Sequence, residues 1–449
     1  MLRNITSLLI NRIVHKREAS AIDAIPSELT LAGYREKMFG KKNRNSCYYS
    51  IMKKIFLAII LIAAAIGGGI FAFNMLKQKY DKTPTETSSD SEPTEIDPVK
   101  EQLGKMTLDE KVAQMLIVDR SEITVSEAEQ EMLSKTPYGG YILMGEAYGT
   151  LVETREMVEK LQSAAKTPLI ITTDEEGGIV QRLQNISSPQ ATDIPDMYSV
   201  GETGDTSYAK EIGRVIAEEL RTIGINVDMA PDADVFSNPD NTVIGRRSFS
   251  SDPQIVATMS QALAEGLEQN GVAATFKHFP GHGDTATDSH LSLPVINRTR
   301  EQLNESDLVP FKNAIKNNAQ FIMVGHIAMP ELTGDNTPAT LSYKITTELL
   351  RNELGHQNLI ITDGLNMGAL VNNYSEAEIY TKAVEAGADL LLLPVNPQVA
   401  LETIKTQIPE SRINESVYRI LKFKQSWLSK YTYLDTSYFG NADHAAVVK

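Results

Sequence analysis

Eight short apolar runs, separated by stretches with helical periodicity, constrain this chain more than any other feature. They are Met115–Asp119, Tyr141–Met144, Leu169–Thr173, Ile225–Met229, Ala273–Phe276, Phe321–Val324, Leu359–Thr362 and Leu390–Leu393. All have strand length, and most are continuous rather than alternating. Strands buried on both faces read this way, because helices cover each side of a parallel sheet. The intervening stretches carry helix grammar. Thr107–Glu110 forms a capping box, after which Leu108, Val112, Met115 and Leu116 share one face. Ser207–Gly224 gathers Ile212, Val215, Ile216, Leu220 and Ile223 on another. Asp252-Pro253 opens a helix as N-cap and first residue, Asn270-Gly271 closes it, and Ser375–Glu378 caps a further one. Eight strand–helix units over residues 99–430 predict an α/β fold, a (β/α)8 TIM-type barrel. A doubly wound open sheet is the other arrangement of the same elements.

The polar residues that follow the runs favour the barrel. Asp174 follows the third, Lys277 and His278 the fifth, His326 the sixth and Asp363 the seventh. In a (β/α)8 barrel the C-terminal ends of the strands build the active site. One polar residue at a strand end is usually a helix cap, but capping does not account for four strands ending this way.

Upstream, residues 55–73 (IFLAIILIAAAIGGGIFAF) contain no charge, and about 20 such residues cross a bilayer as a helix. Lys53 and Lys54 precede the run, in a leader with 11 Lys/Arg against 4 Asp/Glu over residues 1–54. A positive flank stays cytoplasmic. Residues 80–98 (YDKTPTETSSDSEPTEIDP) hold too little apolar surface to offset their ordering entropy. The expected organisation is a basic leader at 1–54, a transmembrane or signal-anchor helix at 55–76, a flexible linker at 77–98, the barrel at 99–430 and a tail at 431–449. Met52-Lys53-Lys54 also resembles the start of a secretory signal. Residues 1–51 are then a candidate misassigned start, and cleavage after the run would release the domain. The expectation is a monomer of the cell membrane, single-pass through its N-terminal helix, with the folded domain extracytoplasmic. The leader's +7 and the whole chain's −15 leave −22 on residues 55–449. An acidic body argues against nucleic acid as a partner. Cys47 is the single cysteine, so no intrachain disulfide or cysteine-based metal site can form.

The chemistry concentrates in Lys277–His290 (KHFPGHGDTATDSH), which holds three of the chain's 7 histidines. Two readings fit these residues. His278, His282, Asp284, Asp288 and His290 are competent metal ligands. Alternatively, Asp288 lies two residues before His290, where a carboxylate can orient an imidazole and tune it to trade protons near neutrality. Asp363 sits in LIITDGLNMGAL, where a carboxylate would project into a barrel mouth and Gly364 would let substrate approach. Asp174 heads DEEGGIVQRL, in which Gly177-Gly178 turns the chain and Arg182 returns; Arg247 lies in VIGRRSF. Arg and Asp at a pocket rim suit bidentate bonding of vicinal hydroxyls or a carboxylate.

KHFPGHGDTATDSH, DEEGG with its following Arg, IGRRSF and TDGLNMGAL, in combination, resemble the β-N-acetylhexosaminidases of glycoside hydrolase family 3. The resemblance runs from about Val99 to about residue 430. It implies a (β/α)8 barrel, retention of configuration at the anomeric carbon, no cofactor and no metal, and release of N-acetylglucosamine from peptidoglycan fragments or chitooligosaccharides. Carried over by motif, it implies that Asp363 is the nucleophile and that His290, held by Asp288, is the general acid/base. Asp174, Arg182, Arg247, Lys277 and His278 would bind the N-acetylglucosamine-containing glycan. The alternatives are a β-glucosidase or β-xylosidase of the same fold, a phosphorolytic variant, a metal-dependent hydrolase built on residues 278–290, and a non-catalytic wall-binding barrel.

Overall fold

The computed structural model describes residues 97–286 and 288–449. The expected leader, the membrane helix and nearly all of the linker lie outside the described residues. Among those described, no helix is long and apolar enough to cross a membrane.

Each apolar run forms a strand: β1 Leu116–Arg120, β2 Gly140–Leu143, β3 Ile170–Thr173, β4 Val227–Asp228, β5 Ala273–Phe279, β6 Phe321–Val324, β7 Leu359–Thr362 and β8 Leu391–Leu392. Two of them, β6 and β7, match their runs residue for residue, whereas β4 is shorter than expected and β5 continues through Lys277 and His278. The strands are parallel and pair in chain order from β1 to β7. On one side β8 pairs with β1 through Leu391–Leu116 and Leu392–Ile117. On its other side it meets β7 in a bridge, Ile361–Leu390, where Thr362 N–H donates to the Leu390 carbonyl at 3.0 Å. The sheet therefore closes on itself. A doubly wound sheet reverses strand order at a switch point, and no reversal occurs, so the open-sheet alternative is set aside.

The local signals act as their chemistry demands. Thr107 and Ser375 each form a complete capping box, with Glu110 and Glu378 returning the hydrogen bond. Asp252 caps the helix Pro253–Gln269. The helix Thr206–Thr222 buries Ile212, Val215, Ile216 and Leu220 against the barrel, as its periodicity requires.

Two buried polar devices hold the N-terminal end of the barrel. Asp389, just before β8, accepts from Arg351 at 2.6 Å, Ser416 at 2.7 Å, Arg419 at 3.0 Å and the Ile360 N–H at 3.1 Å. Four donors around one buried carboxylate tie the last strand to β7 and to the final long helix, Glu410–Ser426. From that helix Lys424 reaches the base of β1 and β2, donating to Gln114 Oε1 at 2.7 Å and the Gly139 carbonyl at 2.8 Å. The segment 431–449, expected as a tail, is docked. Tyr431 donates to the Ile225 carbonyl at 2.9 Å, Arg221 donates to Thr432 at 2.8 Å, and buried His444 lies between Glu218 and Glu219 at 2.7 and 3.1 Å. The segment's scattered aromatic residues, Tyr431, Tyr433, Tyr438 and Phe439, follow neither helical nor strand spacing, which hides these contacts from a periodicity reading.

Lys424 yields a test. Burial lowers its pKa from 10.5 to about 7, so between those values the unfolded chain binds more protons than the folded one. Stability then rises with pH across this window, and the group's destabilising effect is complete below about pH 7. A shift of this size corresponds to several kcal/mol, on the order of 3–5. In Lys424→Met this rise disappears from urea unfolding curves measured between pH 7 and pH 10.

Candidate active site

A cavity of about 320 Å³ opens at the C-terminal end of the barrel. Asp174, Arg182, Arg247, Lys277, His278, His290 and Asp363 all line it. Every residue singled out from the sequence as substrate-binding thus faces one space, as do the expected nucleophile and acid/base. A larger cleft, about 820 Å³, lies at the opposite end beside Asn318, Asn358 and Trp427. Its lining contains no histidine and one carboxylate, Glu415, and none of the residues singled out from the sequence.

The floor of the cavity is an ion cluster. After β3 the chain makes a short hairpin, Glu175–Gly177 against Val180–Gln181, which brings Arg182 back to the rim. Gly178 adopts φ 56°, and a Cβ there would lie 2.8 Å from the Asp196 side chain, so the turn requires glycine. Asp174 and Glu176, one on each side of the first hairpin residue, both receive Lys277 Nζ, at 2.6 and 2.5 Å. Arg247 grips Glu176 with two parallel bonds of 2.8 Å and lies 3.6 Å from Asp232. Burial alone would raise the Glu176 pKa, but Arg247 and Lys277 outweigh it and hold the carboxyl well below its usual range. Burial likewise opposes charge on Lys277, and Asp174 and Glu176 restore it. Arg247 was expected to present its fork to substrate; that fork is engaged by Glu176, and its Nη1 donates to the Val243 carbonyl at 3.1 Å, while the side chain still lines the cavity.

A second network fixes His278. Its Nδ1 lies 2.7 Å from Asp234 Oδ2, which turns Nε2 towards the cavity. Burial, followed by the Arg247 charge, lowers its pKa to about 4, so near neutrality the ring is uncharged. With Nδ1–H donated to Asp234, Nε2 offers a lone pair to a hydroxyl. Asp232 is pushed up to about 8 by burial and by neighbouring Asp234. Glu176, Asp232 and Asp234 were not selected from the sequence. Their signals were DEEGG and the pair Asp232 and Asp234 just after the fourth strand, which read as ordinary loop acids until folding buries them.

Asp363 stands at the end of β7. Its Oδ1 accepts from the Gly364 N–H at 2.7 Å. His326, at the end of β6, accepts from or donates to Thr340 at 2.8 Å and donates through Nε2 to the Gly364 carbonyl at 2.8 Å, bracing the peptide beside Asp363. Burial would raise the Asp363 pKa; His326, His278, the Gly364 N–H and Lys277 together bring it down to about 2. The carboxylate is therefore ionised across the physiological range.

His290 and Asp288 sit on the loop that follows β5. Asp288 Oδ1 lies 2.8 Å from both His290 Nδ1 and its backbone N–H, so the carboxylate holds the ring with Nε2 free. At its base the loop is bolted by Arg298, which donates to Asp284 at 2.9 Å and to Ser237 at 2.7 Å. These contacts separate the candidate metal ligands of the loop. Asp284 turns to Arg298, Asp288 to His290, and His282 to Thr285 and Ser289. Asp232, Asp234 and His278 do lie within 4.8 Å of one another. Asp234 there is hydrogen-bonded to His278 and to the His282 N–H, and the Arg247 cation stands beside Asp232, which disfavours a further cation. A metal site spanning residues 278–290 is not assembled.

The sequence pattern described as the glycosyl hydrolase family 3 N-terminal domain matches residues 107–423, which is the barrel with its catalytic-loop candidates. The chain belongs to glycoside hydrolase family 3. It stands among the family's β-N-acetylhexosaminidases. β-Hexosaminidase LpqI of Mycobacterium tuberculosis is 30% identical over 392 residues, covering 82% of this chain and 96% of that protein. β-Hexosaminidase A of Pseudoalteromonas piscicida is 39% identical over 285 residues, 59% of this chain, which spans 47% of that longer relative. A solved family 3 β-N-acetylglucosaminidase from Paenibacillus sp. superposes with a TM-score of 0.72 at 34% identity, over 76% of this chain and 68% of the other.

The ion cluster gives this family 3 barrel a measurable weak point. Glu176→Gln removes the carboxylate shared by Lys277 and Arg247, leaving two buried cations with one close partner fewer. Urea unfolding is expected to show a loss of about 3–5 kcal/mol.

Proposed function

We propose that this glycoside hydrolase is a retaining exo-β-N-acetylglucosaminidase that removes terminal β-linked N-acetylglucosamine from peptidoglycan fragments or chitooligosaccharides. One observation carries the reading: an ionised carboxylate, Asp363, and a carboxylate-held imidazole, His290, line the same cavity, and that cavity also has a charged floor. The names of the relatives support the acetamido sugar.

The geometry suits a two-step displacement. In the first step Asp363 attacks the anomeric carbon, the glycosidic C–O bond breaks, and His290 Nε2 gives its proton to the departing oxygen. Asp288 accepts from Nδ1–H, keeping Nε2 aimed at the leaving group. In the second step His290 takes a proton from water, the water oxygen bonds to the anomeric carbon, and Asp363 is released. His278, Lys277, Asp174, Arg182 and Arg247 would bind the sugar's hydroxyls and acetamido group. A pocket of this volume fits one pyranose, in keeping with removal of terminal residues. The same reading keeps the sequence expectation for residues 55–73: the barrel acts outside the cytoplasm and is tethered there. Mass spectrometry of the mature N-terminus tests this, and a start beyond Phe73 would overturn the tether.

Asp363→Ala is expected to lower turnover of an aryl N-acetyl-β-glucosaminide by roughly 10³-fold or more. Full activity in that variant would sink the assignment. Comparing aryl glycosides with and without the acetamido group separates this activity from a β-glucosidase, and sugar 1-phosphate formed in phosphate buffer would reveal phosphorolysis.

A further inference from the structure

His282 is buried within the catalytic-loop motif and has no part in the two-step displacement. Its backbone N–H donates to Asp234 Oδ1 at 2.6 Å, which ties it to the carboxylate that orients His278. Its ring meets His278 edge-on, with centroids 5.7 Å apart. From this fixed base the imidazole reaches two hydroxyls: Nδ1 lies 2.8 Å from Thr285 Oγ1, and Nε2 lies 3.1 Å from Ser289 Oγ. Thr285 Oγ1 in turn accepts from Asn241 at 3.2 Å, and its one proton faces both Nδ1 at 2.8 Å and the His282 carbonyl at 3.0 Å. That carbonyl already accepts from Asn241 at 2.8 Å, so the Thr285 proton is assigned to Nδ1, the nearer acceptor. Burial lowers the His282 pKa to about 4, so the ring is neutral near pH 7 and has one donor. With Thr285 donating to Nδ1, that donor is Nε2–H, directed to Ser289.

Ser289 immediately precedes the proposed acid/base, and the two residues are also held from the opposite side. The Ala369 N–H donates to the Ser289 carbonyl and the Gly368 N–H to the His290 carbonyl, each at 3.1 Å. A Cβ on Gly368 would lie 2.6 Å from the His290 carbonyl oxygen, so the approach requires glycine. Gly368 is only five residues beyond Asp363, in the same TDGLNMG segment. The loop tip is thus clamped between the cavity floor and the chain that bears the nucleophile.

We infer that His282 is a positioning residue for His290: through the Ser289 hydroxyl it seats the catalytic loop on the Gly368–Ala369 backbone, setting where the proton donor stands relative to Asp363. This rests on the proposed roles of Asp363 and His290. It adds a function for a histidine whose residue type suggested a metal ligand.

Leaving-group dependence in the full-length chain tests it. Forming the glycosyl-enzyme from a sugar disaccharide needs a proton on the departing alkoxide, whereas a dinitrophenolate leaves unaided. His282→Phe keeps the ring volume and removes both hydrogen bonds. It is expected to lower kcat/KM on the β-linked N-acetylglucosamine disaccharide by about 10- to 100-fold, within the range of general-acid contributions. On the dinitrophenyl glycoside the change should stay within about 3-fold, a small fraction of that contribution. Ser289→Ala, which removes only the acceptor, should show the same selectivity, and His282→Gln, which can still donate to Ser289, should recover part of the loss. Equal losses on both substrates, or an unchanged disaccharide rate, overturn the inference. Should His282→Phe not fold, Ser289→Ala decides the matter alone. Asp363→Ala run alongside separates the two claims, because activity of that variant on the dinitrophenyl substrate sinks the catalytic reading itself.

Discussion

Lys277 is a cation with almost no access to water, and the upper end of the barrel is organised around neutralising it. A buried charge is tolerated only when paired and hydrogen-bonded. Asp174 and Glu176 meet it from the hairpin after β3, and Arg247 then meets Glu176 from a separate loop. Two chain segments far apart in sequence are thereby locked to β5. What results is a rigid, strongly polar floor, and such a floor holds a polar ligand in one orientation because none of its groups has to move first.

Over this floor the two groups proposed to react are held in different ways. Asp363 is fixed by strand geometry, by the Gly364 N–H and by His326 behind it. His290 stands on a loop and is exposed, so its position depends on side-chain and backbone bonds rather than on a sheet. Asp288 orients the ring, Arg298 pins the base of the loop, and the Gly368–Ala369 backbone receives its tip.

The fold was largely legible from the chain. Buried parallel strands leave a dense apolar signature, and β6 and β7 could be bounded to the residue. β4 was not, because the alternation in Ile225–Met229 hides where pairing ends; there Asn226 is drawn into side-chain bonds with β3. The site was legible where a residue type is rare, as with the clustered histidines. It was obscure where the residue type is common: Glu176, Asp232 and Asp234 looked like loop acids, and the docked segment 431–449 looked like a tail.

By itself, the sequence determined the strand–helix alternation, the chargeable residues at the strand ends and the Asp288–His290 pair, since each depends on neighbours a few residues apart. Tertiary structure alone decided that β8 closes on β1, that Glu176 mediates between Lys277 and Arg247, and that His282 faces Thr285 and Ser289. Those outcomes depend on which distant groups are buried together, and burial is what turns an ordinary carboxylate or imidazole into an obligatory partner.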